Sequence, residues 1–342
     1  MKCSFCDKPA VYYNKISGLA YCKAHFIEYF EKRVKKTIRK YNMIREDDRV
    51  LVAVSGGKDS MSLLHIMLKL KKKMPKLEVT AMLIDEGIRG YREKTVPNLV
   101  KYAERRAVKY VIASFKDYIG ETLDEIVKSS FEKGLPYMPC SYCGVFRRYI
   151  MNVVARELGA TVIATAHNMD DVVQTFLMNL MSNSWERIFS LTPVRQADSE
   201  IVVKRVRPFY EVPEKETAIY ALLNDLVQPE FVQCPYVKYN VRYTVRKIIN
   251  ELEDKYPGTK YGLLRSLLRL TSLVKIEAPR KFNACLICGN PTSRLVCKAC
   301  TYRAILGLLD EHSTSRIIEA AKFDASLARE LREAGMHLKT SH

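Results

Sequence analysis

The sequence contains no uninterrupted apolar run of the roughly 18–20 residues that a membrane-spanning helix needs, and its first residues lack the apolar core of a signal peptide. We therefore expect a soluble, cytoplasmic protein without a membrane partner. Acidic residues are scarce relative to basic ones, since 38 Asp and Glu stand against 56 Lys and Arg and give a net charge of +18. This imbalance indicates a polyanionic partner such as nucleic acid; a generally lysine-rich proteome is the alternative.

The ten cysteines do not have the pattern of a small secreted disulfide domain, because nine lie in or next to short paired spacings typical of metal ligands. Four soft ligands at such spacing close a tetrahedral structural zinc site. For the cysteines near the N-terminus, the alternative to a zinc site is a group of unrelated buried cysteines, and a redox pair is a weaker alternative. The sequence predicts two zinc sites, which are Cys3, Cys6, Cys22 and His25 near the N-terminus, and Cys285, Cys288, Cys297 and Cys300 near the C-terminus.

The central part of the chain alternates continuous β-branched runs with amphipathic stretches. This pattern predicts an α/β fold with a parallel sheet, helices on both faces and ligands bound beyond the carboxyl ends of the strands. After about residue 212 the pattern is helical through about residue 275. The predicted strands are Val50–Val54, Val79–Ile84, Tyr110–Ala113 and Thr161–Thr165.

A basic amphipathic helix is predicted over about residues 26–45. Its basic side chains either contact RNA or form an ordinary solvated helix face. The apolar face comprises Phe26, Phe30, Val34 and Ile38, and the basic positions are Lys32, Arg33, Lys35, Lys36, Arg39 and Lys40.

The segment Ser55-Gly56-Gly57-Lys58-Asp59-Ser60 follows the first predicted strand and opens a helix, which is where a phosphate group binds. Gly56 and Gly57 permit close approach of the backbone, while Ser55, Lys58 and Ser60 add donors for anionic oxygens. The spacing differs from that of the P-loop, whose two glycines are four residues apart. It matches instead the PP-loop of enzymes that split ATP into AMP and pyrophosphate.

Six motifs in this order make the chain resemble the tRNA 2-thiolation family of PP-loop ATP pyrophosphatases, which includes the 2-thiouridine synthetases. The motifs are the N-terminal Cys/His knuckle, the PP-loop, Pro139-Cys140-Ser141-Tyr142-Cys143-Gly144, Ala166-His167-Asn168-x-Asp170-Asp171, Arg207-Pro208-Phe209-Tyr210-Glu211 and the Cys-rich end. The resemblance implies four segments: a zinc knuckle (1–27), a PP-loop ATP pyrophosphatase domain with its leading basic helix (28–211), a helical extension carrying Cys234 (212–280), and a zinc ribbon with a helical tail (281–342).

The resemblance also implies the reaction. ATP adenylates the 2-oxygen of a tRNA uridine, sulfur replaces that oxygen, and AMP and pyrophosphate are released. The implied catalytic residues are Lys58, Asp59, Arg147 and Asp171. The implied ATP contacts are Ala53, Ser55, Gly56, Gly57, Lys58, Asp59, Ser60, Leu83, Ala166 and Asp171, with Mg²⁺ bound alongside. Asp170 and Asp171 are adjacent acids, which are suited to Mg²⁺ but also to capping a helix.

Cys140, Cys143 and Cys234 remain once both zinc sites are filled, and three thiolates cannot complete the usual four-cysteine iron-sulfur set. A third zinc site, a redox pair and a catalytic persulfide are open readings of these residues. In the resembling family these positions hold a 4Fe-4S cluster whose fourth iron can bind exogenous sulfur. We also expect the N-terminal dipole of a helix beginning near Cys140 to lower the pKa of Cys140 and Cys143.

The expected partners are tRNA and a sulfur donor, which is either a ubiquitin-like thiocarboxylate protein or inorganic sulfide, and a homodimer is possible. Wobble-position and T-loop enzymes share these motifs. Two other functions are compatible with parts of the sequence: an amide-forming PP-loop ligase, which needs neither the central cysteines nor the zinc modules, and a non-catalytic zinc-ribbon RNA-binding protein, which does not need an intact PP-loop.

Overall fold

The computed structural model of the protein describes residues 1–196, 201–227, 234–236, 241–274 and 282–336. It begins with a two-stranded hairpin, β1 (Tyr12–Asn14) and β2 (Leu19–Tyr21), followed by the helix α1 (Lys23–Lys40). The predicted apolar face of this helix is buried. The helix ends earlier than the predicted residue 45, because Asn42 adopts a left-handed conformation with φ of 48°. Among the described residues, no helix is both long enough and apolar enough to cross a membrane.

A six-stranded sheet forms the centre of the molecule, and its strand order is β5-β4-β3-β6-β8-β7. All neighbouring strands are parallel except β7, which runs antiparallel to β8. The predicted α/β class with a mostly parallel sheet is therefore confirmed. The strands are β3 (Arg49–Ala53), β4 (Glu78–Asp85), β5 (Lys109–Ser114), β6 (Val162–Thr165), β7 (Val194–Arg195) and β8 (Lys204–Val206).

Helices cover both faces of the sheet. Along β3, the side chains of Val50 and Val52 enter one core while Leu51 enters the other, as the alternation of a strand requires. This burial on both sides explains why the strands read as continuous apolar runs. The first core contains α1, α2 (Lys58–Lys71), α3 (Arg92–Arg105) and α9 (Glu214–Leu223); the second contains α4 (Phe115–Ile119), α5 (Leu123–Glu132) and α6 (Pro139–Glu157).

Two further groups of helices pack against this centre. A separate core joins four helices, which are α7 (Met169–Met181), α8 (Trp185–Phe189), α10 (Arg242–Lys255) and α11 (Thr259–Leu273). The C-terminal ribbon and its tail share the core that contains α6. Their elements are β9 (Asn283–Ala284), β10 (Pro291–Thr292), α12 (Lys298–Leu306), α13 (Glu311–Ala320) and α14 (Ala325–Glu333).

The helix α6 begins at Pro139, next to the predicted start near Cys140. Pro139 occupies the first turn, where its missing N–H costs nothing. Cys140 and Cys143 therefore both lie within the first turns of α6. Since β3 is flanked by β4 on one side and β6 on the other, the order of the strands reverses at β3, which creates a crevice at the carboxyl end of the sheet.

Candidate active site and metal sites

The PP-loop lies between β3 and α2, at the mouth of this crevice. Gly56 has a φ of 79°, and a Cβ at this position would collide with the carbonyl oxygen of Thr95 in α3. The glycine therefore lets the loop pack against α3. Gly57 caps α2 without any side-chain hydrogen bond to the first turn, so the free amides of α2 are available to an anion.

Lys58 and Asp59 form a network of charges at the start of α2. Nζ of Lys58 donates to Oδ2 of Asp59 at 2.6 Å and to Oε1 of Glu214 at 2.8 Å. The other oxygen of Asp59 accepts hydrogen bonds from the hydroxyl of Thr217 and from Nδ2 of Asn168. Burial alone would lower the pKa of Lys58, but Asp59 and Glu214 raise it above its usual value. The lysine is thus held as a cation.

The hydroxyl groups of the PP-loop are partly used within the loop itself. Ser60 is buried, and its Oγ accepts from the amide of Ser55 at 3.0 Å and donates to the carbonyl of Gly57 at 3.0 Å. The Oγ atoms of Ser55 and Ser60 lie 3.1 Å apart. Ser60 therefore shapes the loop in this structure, while Ser55 remains half-exposed beside it.

Ala53 ends β3, Leu83 lies in β4, and Ala166 directly follows β6. Ala53 pairs with Met82 and with Thr165, so Leu83 and Ala166 each lie one residue further along the flanking chains. The side chain of Leu83 is fully buried in the core, which leaves only its backbone available to a ligand. The three predicted ATP contacts are thus adjacent, although they come from distant parts of the sequence.

The two adjacent acids after β6 serve different purposes. Asn168 and Asp171 form a reciprocal capping box that starts α7, and burial raises the pKa of Asp171 to about 6, with Asp59 adding to the effect. Asp170 is buried, where it pairs with Lys260 and accepts a hydrogen bond from the amide of Glu214 at 2.7 Å. The expectation that both acids handle Mg²⁺ is wrong for Asp170, because its oxygens hold α9 and α11 against α7.

Cys140, Cys143 and Cys234 come together, although Cys234 lies in a short described stretch far along the chain. The pKa of Cys143 is raised to about 12, mainly by burial and in part by Cys140 and Cys234; Arg147 opposes the shift. The pKa of Cys234 is also raised by burial. The expected lowering by the helix dipole is therefore wrong for Cys143, since burial of the charged form outweighs the dipole.

These three thiols do not form a group as close as the predicted zinc sets, in each of which the ligand atoms all lie within 4.8 Å of one another. Sulfur atoms that share one tetrahedral zinc are about 3.8 Å apart. The wider set favours a larger centre over a third zinc ion. Beside Cys234, the hydroxyl of Tyr236 donates to Asp124 at 2.7 Å and the side chain is half-buried, whereas Pro235 is exposed.

An ion-pair chain connects the PP-loop to the cysteine set. Glu86 is 1% exposed and pairs with Arg92, whose Nη1 donates to the carbonyl of Ser55 at 2.8 Å. Glu86 also pairs with Arg147, whose Nε lies 3.3 Å from its Oε1. Sequence reasoning identified Arg147 but missed Glu86 and Arg92. The position of Glu86 directly after β4, where ligands of parallel sheets gather, was the available signal.

The N-terminal set Cys3, Cys6, Cys22 and His25 has the geometry of a single metal site. Nδ1 of His25 lies 3.3 Å from Sγ of Cys3, 3.6 Å from Sγ of Cys6 and 3.4 Å from Sγ of Cys22. The sulfurs of Cys6 and Cys22 are 3.7 Å apart, close to the spacing around a tetrahedral zinc. The donor set and its spacing fit a zinc ion.

The C-terminal set Cys285, Cys288, Cys297 and Cys300 also converges. The sulfurs of Cys288 and Cys297 are 3.6 Å apart. Backbone amides face the thiols, since the N–H of Cys297 donates to Sγ of Cys285 at 3.2 Å. Gly289 has a φ of 67° in the turn after Cys288. This second set likewise fits one zinc ion.

The solvent face of α1 carries a row of basic side chains. A groove of about 1030 Å³ runs along it and is lined by Tyr29, Lys32, Arg33, Lys35, Lys36, Arg39 and Lys40. Arg33 differs from the others, because its guanidinium pairs with buried Glu216 at 3.0 Å and donates to the carbonyl of Glu211. In the sequence, Arg33 is one of six basic positions that look equivalent. In the structure, Arg33 holds α1 against α9.

Comparisons with known proteins extend over most of the chain. The PP-loop domain family matches residues 27–228, and the N-terminal LIM domain of 2-thiouridine synthetase TtuA matches residues 2–27. The tRNA 2-thiolation protein NcsA of Haloferax volcanii is 33% identical in an alignment of 316 positions, which covers 88% of this chain and 97% of that protein. The tRNA-5-methyluridine(54) 2-sulfurtransferase of Pyrococcus horikoshii is 34% identical, covering 88% and 93% respectively.

A solved structure is similar over nearly the same extent. It is the U34-tRNA thiolase NcsA from Methanococcus maripaludis, described with its 4Fe-4S cluster. The TM-score is 0.76 and the identity 34%, with 91% of this chain and 98% of that chain covered. The structural similarity thus extends over most of the chain.

Proposed function

The chain belongs to the PP-loop family of tRNA 2-thiolation proteins, and from this premise we propose that it is an ATP-dependent enzyme that replaces the 2-oxygen of a tRNA uridine with sulfur. The family membership confirms the resemblance found in the sequence. One structural observation carries the proposal: the PP-loop and the three remaining thiols meet at the carboxyl edge of the sheet, joined through Glu86 by Arg92 and Arg147.

The PP-loop side of this site is suited to activating the uridine. Free amides at the start of α2 and the ammonium of Lys58 stabilise negative charge on the phosphates of ATP. Asp59 and Asp171 offer the oxygen ligands that Mg²⁺ prefers. Attack of the uridine 2-oxygen on the α-phosphate releases pyrophosphate and leaves AMP on that oxygen, which makes it a good leaving group.

The cysteine side is suited to delivering sulfur. Cys140, Cys143 and Cys234 would hold a 4Fe-4S cluster, which supplies an iron without a protein ligand for the incoming sulfur. The buried thiols favour their protonated form, so binding of metal would release their protons. Arg147, which lies between Cys143 and Glu86, would stabilise the negative charge that develops as the sulfur attacks and AMP leaves.

The remaining parts of the proposal concern binding. The two zinc ions would fix the N-terminal knuckle and the C-terminal ribbon, and the basic face of α1 would contact phosphates of tRNA. The sulfur donor is either a ubiquitin-like thiocarboxylate protein or inorganic sulfide, and a homodimer is part of the proposal that sedimentation would test. Ten free thiols, mostly arranged as metal ligands, suit the reducing cytoplasm.

The decisive experiment supplies anaerobically purified protein with ATP, Mg²⁺, sulfide and a tRNA transcript. We expect AMP and 2-thiouridine to form in equal amounts, measured by chromatography and by mass analysis of nucleosides. Transcripts that lack the uridine at position 34 or at position 54 identify the modified site. AMP formed only with a carboxylate and ammonia would indicate an amide ligase. Binding of tRNA without any AMP would indicate a non-catalytic protein.

A further inference from the structure

A pocket of about 180 Å³ lies between α6, the strand β8 with the edge strand β7, and the C-terminal ribbon. It is outside the PP-loop and the cysteine set. Its described lining contains four basic side chains and no acidic one. These basic residues are Arg148, Arg195, Arg205 and Lys298, and the other polar side chains of the lining are Tyr149, Asn152, Asn290 and Cys297.

Three buried polar atoms of this lining have no hydrogen-bond partner among the described residues: Nε of Arg205 and both Oδ1 and Nδ2 of Asn290. Asn290 is only 3% exposed. Arg205 makes one hydrogen bond, from Nη2 to Oδ1 of Asn152 at 3.2 Å. Buried polar groups are nearly always paired in folded proteins, and leaving them unpaired is destabilising. Two of these atoms, Nε of Arg205 and Nδ2 of Asn290, are donors, and they can serve a ligand that accepts hydrogen bonds, whereas Oδ1 of Asn290 is an acceptor.

The electrostatics of the pocket indicate the charge of that ligand. Burial and the neighbouring Arg195 and Arg148 lower the pKa of Arg205 to about 9, although an arginine ordinarily titrates above 12. Burial and nearby arginines also lower the pKa of Arg148. Lys298 differs, because Glu330 lies 2.8 Å from its Nζ. No described carboxylate pairs with Arg148 or Arg205, so an anion would balance their positive charge.

The size and opening of the pocket limit which anions can bind in it. Pockets that enclose whole drug-sized ligands measure roughly 300–1000 Å³. A pocket of about 180 Å³ accommodates a phosphate group rather than a nucleotide. Arginine forks match the paired oxygens of phosphate. Arg195 is exposed at the rim, so the pocket can receive a group that belongs to a larger molecule.

We propose that this pocket binds one phosphate-sized oxyanion, and that the oxyanion is a backbone phosphodiester of the RNA substrate. The inference rests on the proposed function and adds a specific RNA contact to it. Arg148 follows Cys143 by five residues on α6, a rise of about 7.5 Å. A phosphodiester bound here would fix the RNA between the ribbon and the cysteine set.

The test measures the affinity of an unmodified tRNA transcript as a function of salt for wild type, Arg205→Gln and Arg148→Gln. Each variant should reduce the slope of log affinity against log salt by about 0.7–0.9 and weaken binding by about tenfold, since one phosphate contact is lost. The matched control is Arg105→Gln. It has the same change of charge on an exposed residue at the end of α3, on the opposite edge of the sheet, and should leave the slope near that of wild type.

A second measurement distinguishes the source of the oxyanion. Inorganic phosphate and pyrophosphate are titrated against each protein by calorimetry, and unfolding temperature and zinc content verify that the variants fold. If phosphate binding is lost in the variants while tRNA binding is unchanged, the RNA assignment is overturned in favour of a free anion. If neither ligand is affected in both folded variants, the pocket is not an oxyanion site. A wild-type protein that fails to thiolate tRNA would instead contradict the proposed function.

Discussion

Arg147 and Glu86 form an ion pair, with Nε of Arg147 3.3 Å from Oε1 of Glu86, between the cysteine-bearing helix α6 and the carboxyl end of β4. Glu86 is shared with Arg92, which holds the backbone of Ser55. A buried carboxylate thus sets the position of the PP-loop relative to the thiols. Burial alone would raise the pKa of Glu86, but the two arginines hold it below its usual value.

Glu86→Gln should destabilise the protein by about 3 kcal/mol or more, because it leaves two arginine charges without their buried partner. It should also reduce thiolation, since Arg92 and Arg147 are no longer oriented. Denaturant unfolding measures the first effect and AMP formation the second. The control is Glu104→Gln, the same change on an exposed helix position. An unfolding free energy within about 0.5 kcal/mol of wild type would contradict the role assigned to Glu86.

Lys58→Ala and Asp59→Asn should each reduce AMP formation by about 100-fold or more, because they remove charges that act on phosphate and Mg²⁺. Both variants should keep their zinc, since the metal sets are remote in sequence and in separate modules. Lys71→Ala removes an exposed lysine from the other end of the same helix and should have wild-type activity. Normal AMP release by either loop variant would show that ATP binds elsewhere.

Cys140→Ser, Cys143→Ser and Cys234→Ser should each abolish iron binding and leave zinc unchanged. Anaerobic wild-type protein should contain roughly four irons and two zincs per chain and absorb broadly in the visible range. Cys288→Ser is the reciprocal control, which should lose one zinc and keep iron. Metal analysis by mass spectrometry reads out both elements. An active protein without iron would favour a persulfide carried on one of the three cysteines.

Lys36→Ala and Arg39→Ala, on the exposed face of α1, should weaken tRNA binding at low salt. Each should lower the salt slope by about 0.7–0.9 if its side chain neutralises one phosphate. ATP binding without tRNA should not change, because these side chains are distant from the PP-loop in sequence and face solvent. Filter binding across a salt series measures the effect. Unchanged salt slopes in both variants would show that this face of α1 is exposed to solvent and does not contact tRNA.

Sequence alone determined the features that short stretches encode. The two four-ligand sets each consist of close pairs, and their spacing predicted sites that the structure brings within 4.8 Å. Alternation along β3 and the loop Ser55–Ser60 predicted the sheet and the turn at its edge. Such patterns are readable because strand periodicity, turn conformation and ligand spacing are local properties of the backbone.

Only the tertiary structure decided which charged residues serve the site and which hold the fold together. Asp170 and Asp171 are neighbours in sequence, yet Lys260 binds the first and Asp59 faces the second. Arg33 pairs with the buried Glu216, and Glu86 connects the PP-loop to the cysteine set. The thiol pKa values and the arginine pocket depend on burial and on partners from separate segments of the chain, and no local pattern of residues records either.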